Sequence, residues 1–185
     1  MAHQARQVKR TRGARPRIAL GPITGRDAPT LFKWINDRDL VLFNSPYRPI
    51  HEPSHLAWVK SLAGRKDMVA FAVRTAPGDR LIGVCQLVNI DGVNRRADLQ
   101  IRMGDEKTRG KGLGLEAVQR LVEFGFRDLN LHRIALQVFA TNTRAITTYE
   151  RAGFHHEGCL REAVFLDGRF VDVIAMAIVH RKDGR

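Results

Sequence analysis

The chain has 185 residues, 44% of them hydrophobic, which is enough for one compact domain with its own core and too little for a second. No apolar run reaches the roughly 18 residues a spanning helix needs, since even "VDVIAMAIV" is short and carries Asp172, so no membrane association is expected. The formal charge of +12 suggests a nucleic-acid partner, but six of the cations (Arg6, Lys9, Arg10, Arg12, Arg15, Arg17) crowd an acid-free opening stretch, which accounts for half of the excess.

Residues 1–16 read as a basic, disordered tail, 17–180 as one domain and 181–185 as a short second tail. The first tail lacks the apolar core of a secretory signal. Its composition fits a solvated extension, an organellar presequence or a weak RNA or ribosome contact alike. The two cysteines, Cys85 and Cys159, sit in strand-like segments with spacing for neither a disulfide framework nor a zinc site, and a reducing, cytoplasmic setting is expected.

In chain order, "RIALGPI" is a strand, and Thr24 is placed to cap an amphipathic helix on which Leu31, Trp34 and Ile35 share a face. A Pro-punctuated loop around Ser45–Pro49 carries Tyr47 and Arg48. A helix is expected over 53–63, with Leu56, Val59 and Leu62 on its inner face. Residues 68–104 read as three strands of an antiparallel meander, turned at "APGD" and "DGVN". A helix over 112–130 buries Leu115, Val118, Leu121 and Val122 and leads into the strand "HRIALQVFA". Asn142 then starts a helix that Gly153 stops, and the chain ends in a hairpin turned at "DG". The whole is mixed α/β (α+β), a largely antiparallel sheet of about seven strands flanked by about four helices.

The stretch "MGDEKTRGKGLGLEA" carries the chemistry. Glycines that run into a helix N-terminus gather unpaired backbone N–H groups and partial positive charge, which makes an anion site. A Walker loop is excluded: five residues separate Gly104 from Gly110-Lys111, and Gly112 stands where Ser or Thr should hold magnesium. The dinucleotide fingerprint fails as well, because Gly110, Gly112 and Gly114 alternate strictly and follow an antiparallel run. What remains is Arg-x-x-Gly-x-Gly, at Arg109, Gly112 and Gly114.

With that loop the chain resembles the GNAT superfamily of N-acetyltransferases, whose signature joins the fourth strand to the following helix. A second element strengthens the resemblance: Asn142, Ala145, Tyr149, Gly153 and Phe154 match the family pattern Asn-x-x-Ala-x-x-x-Tyr-x-x-x-Gly-Phe. The likeness runs from about Arg17 to His180, strongest over Asp98–Asp172, and its nearest branch includes ribosomal-protein N-terminal and amino-sugar or sugar-nucleotide N-acetyltransferases.

The resemblance implies an acetyl-CoA-dependent transfer to a primary amine. The amides of Arg109, Gly110, Lys111, Gly112, Leu113 and Gly114 would hold the pyrophosphate, with charge added by Arg109 and Lys111. Strand residues Ile101, Arg102 and Met103 would pair with the pantetheine arm, an amide near Met103 donating to the thioester oxygen, and Asn142 would also bond the arm. Tyr149 is the implied general acid for the leaving thiolate, and Asp98, where many relatives have Glu, is the candidate base, one methylene short for direct contact.

Three residues, Tyr47, Arg48 and Glu162, are placed at the rim of an acceptor cleft by loop position alone. The acceptor stays open between amino sugars or sugar nucleotides and peptide N-termini. Polyamines and aminoglycosides are not excluded, although a cationic acceptor suits a positive protein less well. A homodimer is implied only by the resemblance.

No metal is expected, because His155 and His156 point to opposite faces of a strand and cannot share one ion with Cys159. Neither cysteine has the setting of an acetyl-enzyme nucleophile, so a direct transfer is expected. The competing reading is a non-catalytic, acyl-CoA-binding or RNA- or ribosome-associated basic module on the same fold, against which stands the lack of aromatic interleaving.

Overall fold

A computed structural model describes residues 17–180; both tails lie outside the described residues. In chain order the elements are β1 (Ile18–Pro22), α1 (Ala28–Ile35), α2 (Arg38–Val41), α3 (Glu52–Ser61), β2 (Val69–Thr75), β3 (Leu81–Asp91) and β4 (Arg96–Met103). They continue with α4 (Leu113–Arg127), β5 (Arg133–Phe139), α5 (Thr143–Ala152), β6 (His155–Leu166) and β7 (Arg169–Val179). The strands form one seven-stranded sheet in the order β1-β2-β3-β4-β5-β7-β6. Every neighbouring pair is antiparallel except β4 and β5, whose parallel pairing requires the crossover that α4 supplies.

The long amphipathic α4 covers one face of the sheet. Its Ala117, Val118, Leu121 and Val122 are buried in a core with Leu87, Leu99, Ile134 and Met176. Gly125 permits that approach, since a Cβ there would lie 2.7 Å from Ile134 Cδ1. The two caps expected around α5 are present: Asn142 Oδ1 accepts from Ala145 N at 3.2 Å, and Gly153 closes the helix at φ 99°. The final hairpin turns on Asp167 and Gly168, with φ of 49° and 83°, as a two-residue type I′ turn demands.

Three local expectations are corrected. Asp27, not Thr24, holds the N-cap position of α1, and its side chain makes no capping bond to the helix. Its carboxylate is taken by Thr24 N (2.7 Å) and by Arg74 Nη2 (2.7 and 2.8 Å), which ties the start of the helix to β2. On α3 the buried residue is His55, while Leu56 is 42% exposed. His55 Nε2 meets the Ala28 carbonyl at 2.9 Å, so the helix hangs on α1 by a polar bond and its apolar stripe is not what docks it. The fifth helix, α2, is one turn capped by Asp37, whose Oδ1 accepts from Leu40 N at 3.1 Å. It is too short to show helical periodicity in the sequence.

Candidate active site

The site begins with a failure of pairing. Strand β4 follows β3 up to Gly83↔Met103, but it pairs with β5 only at Arg96↔Arg133, Ala97↔Ile134 and Asp98↔Ala135. Beyond that point β5 stays with β7 through Phe139, and β4 continues from Leu99 to Met103 paired with β3 alone. The sheet therefore splays into a V, and one edge of β4 presents backbone donors and acceptors with no strand opposite them. Such an edge accepts an extended ligand in the place of a strand.

On the α4 side the V opens into a cleft of about 460 Å³ between the Thr108–Gly114 loop and α5. Gly110 and Gly112 stand at φ +77° and +74°, backbone that side chains rarely adopt, and Gly112 caps α4. Among the described residues, no group accepts from the amides of Leu113, Gly114 and Leu115, which face this cleft with the positive end of the helix dipole. The acid in the first turn, Glu116, is occupied by Arg17 N (3.1 Å) and Arg120 Nε (3.3 Å).

Arg109 lines the cleft, bonded to Glu106 at 2.8 Å and standing 6.0 Å over the Phe43 ring. Lys111 is exposed and outside the lining; its carbonyl accepts from Arg17 Nη1 at 2.8 Å. Two cations not singled out in the sequence, Arg144 and Arg151 of α5, line the cleft as well. Asn142 also borders it. Its oxygen caps α5 and its Nδ2 donates to the Phe43 carbonyl at 3.0 Å, leaving one amide hydrogen for a ligand.

The opposite face of the sheet carries a larger cleft, about 1030 Å³, roofed by Trp34, Phe43, His55 and Trp58. Its floor is polar, because β4 alternates: Leu99, Ile101 and Met103 pack with the core, and Asp98, Gln100 and Arg102 turn to this side. Arg102 thus borders the second cleft and not the first. Most floor groups are partnered: Gln86 with Gln100 at 2.6 Å, Asn89 Nδ2 with Asp98 Oδ2 at 2.8 Å, and Arg133 Nη1 with Glu157 Oε1 at 2.6 Å. The Arg133 guanidinium holds the Glu157 carboxyl below its usual range.

Tyr47, Arg48 and Glu162 line neither cleft. The rim is built instead by Phe43–Pro46 and Ile50, and Glu162 sits on a bulge of β6 with its amide donated to Asp172 at 2.7 Å.

Four residues border both clefts: Phe43, Asn44, Ile101 and Tyr149. Tyr149 is 6% exposed, and burial pushes its phenol up to about 12, so it is protonated at neutral pH. Cys85 is buried and its thiol is likewise pushed up to about 12, which makes it inert as a nucleophile; Cys159 is exposed. Among the described residues no three His, Cys, Asp or Glu side chains gather as metal ligands, and His156 bonds Glu150 at 3.0 Å. Open helix-start amides for a pyrophosphate, cations beside them and a bare strand edge for an amide-bearing arm together fit an acyl-CoA.

Comparison with known proteins agrees with this geometry. The acetyltransferase (GNAT) domain family matches residues 17–155. The spermidine N(1)-acetyltransferase of Vibrio cholerae serotype O1 is 34% identical over 151 residues, covering 80% of this chain and 84% of that protein. An uncharacterized N-acetyltransferase, p20, of Bacillus licheniformis is 29% identical over 171 residues, covering 90% and 94%. A crystal structure of spermidine N-acetyltransferase from Vibrio cholerae in complex with CoA and spermine superposes with a TM-score of 0.81 at 29% identity, over 88% of this chain and 95% of that one. The chain belongs to the GNAT family and is an acetyl-CoA-dependent N-acetyltransferase.

Proposed function

We propose that the protein moves the acetyl group directly onto the primary amine of a small molecule that lies on the polar sheet face and meets the thioester beside Ile101 and Tyr149. The observation that carries this reading is that those two residues border both clefts, so a donor in one and an acceptor in the other have a common meeting point. The bare edge of β4 offers a backbone amide to the thioester oxygen, where negative charge develops as the amine attacks. The phenol of Tyr149 supplies the proton that the leaving thiolate takes up as the C–S bond breaks. Asp98, held by Asn89 on the acceptor side, receives the amine's proton through water.

Three relatives carry spermidine in their names, so a polyamine heads the list of acceptors to assay, followed by a sugar nucleotide and a ribosomal N-terminal peptide. Turnover of acetyl-CoA is measured with each amine for the wild type and Tyr149→Phe. A loss of about 100-fold in kcat is expected, the scale of a general acid, with the CoA-induced rise in thermal stability retained. A mutant as active as the wild type would remove Tyr149 from the mechanism.

A further inference from the structure

One ion in the acceptor cleft has no partner. Among the described residues, the buried Nε of Arg102 has no hydrogen-bond partner, and no carboxylate pairs with its guanidinium. Its neighbours on the floor are satisfied among themselves: Glu157 belongs to Arg133, Gln86 to Gln100, and Asp98 takes Asn89 and exerts its field on Arg133. Burial alone acts on the Arg102 guanidinium and lowers its pKa, with no acid offsetting it. A guanidinium held in a cleft wall without a counter-ion is costly, and an arriving oxyanion relieves that cost. The planar fork matches a carboxylate in a bidentate way, and one unpaired cation balances one negative charge.

Asp98 lies on the same face of the same strand, four residues away, roughly 13 Å between Cα atoms at the usual strand rise. A carboxylate and a guanidinium facing one cleft from one strand suit a molecule with an amine at one end and an anion at the other. A linear polycation would instead set its second ammonium against Arg102.

Resting on the acetyl-transfer reading, we propose that Arg102 binds a carboxylate on the acceptor, so that the preferred substrates are short ω-amino acids and related zwitterions. The test is a series on one four-carbon skeleton, γ-aminobutyrate, n-butylamine and putrescine, with an aminopropyl phosphate as the phosphoryl arm and spermidine beside them. For the wild type, kcat/KM for γ-aminobutyrate is expected to exceed that for n-butylamine at least tenfold, as one charge-assisted pair allows. In Arg102→Gln that ratio falls close to one, chiefly through KM, and Arg102→Lys restores part of it.

A ratio near one in the wild type overturns the proposal. So does an unaltered ratio in a folded, CoA-binding Arg102→Gln protein. Preference for the phosphate overturns the carboxylate assignment, and preference for spermidine or putrescine overturns the zwitterion while leaving acetyl transfer intact. Should no amine turn over, acetyl transfer fails by itself. The proposal is then decided by whether γ-aminobutyrate, and not n-butylamine, raises the melting temperature of the CoA complex in an Arg102-dependent way.

Discussion

Gly104 follows β4 and lies against the face of Trp34, and its replacement by alanine tests how the second cleft is roofed. A Cβ at this position would lie 2.0 Å from Trp34 Cδ2 and 2.1 Å from Cε2, against an ordinary carbon–carbon contact of about 3.5 Å. The overlap of about 1.5 Å cannot be absorbed by a free end, because Trp34 is 9% exposed and packed with Leu31 and Leu40. Either the indole or the end of β4 must move, and overpacking of this kind costs about 3 kcal/mol. For a domain of this size that corresponds to a fall of roughly 6–12 °C in melting temperature. Because Trp34 roofs the cleft proposed to hold the amine, KM for the amine is expected to rise as well. Thermal unfolding and steady-state kinetics of Gly104→Ala read both effects. Gly92→Ala, where nothing lies within 4 Å, is the control and stays within about 0.5 kcal/mol of wild type. A Gly104→Ala protein that melts within a degree of the control would refute the packing.

Gly112→Ala forces a side chain into left-handed backbone and costs about 1–2 kcal/mol. It also disturbs the helix start, so the thermal shift induced by CoA should shrink more than the melting temperature of the free protein falls. Cys85 gives the pH dependence. Its thiol stands at about 12 in the fold against an ordinary 9.0, so its contribution to stability is complete below pH 9 and is lost as pH rises from 9 toward 12. Cys85→Ala should therefore flatten the alkaline fall in denaturant-measured stability over that window. A thiol titration of the native wild type should find Cys159 reacting fast and Cys85 only on unfolding.

Local chemistry made much of this fold legible. The Asn142 and Gly153 caps, the Asp167-Gly168 turn and the stripe on α4 act within a few residues of themselves, and each stands where the sequence placed it. The start of α1 was less readable in that way, because the Asp27 carboxylate at its N-cap position bonds Arg74, distant in sequence. The acceptor cleft arises where β4 parts from β5, and no residue within either strand marks that point. For this reason Tyr47, Arg48 and Glu162, chosen by loop position, miss the cleft, while His55, Trp58 and Arg133 line it. Arg102 was the readable exception. In "DLQIRM" the apolar Leu99, Ile101 and Met103 alternate with Asp98, Gln100 and Arg102, and that period of two already sets Arg102 on the face of Asp98.

The parting of β4 from β5 also bears on self-association. An unpaired strand edge at a sheet margin recruits strands from other molecules, yet here the bare edge is enclosed between α4, α5 and β5. Of the two outer margins, β1 and β6, the latter pairs with β7 through shifts between His156 and Gly158 and between Leu160 and Val164, and its bulge carries Arg161 and Glu162. The sheet thus encloses the bare edge at its centre and leaves an irregular, charged strand at one of its margins.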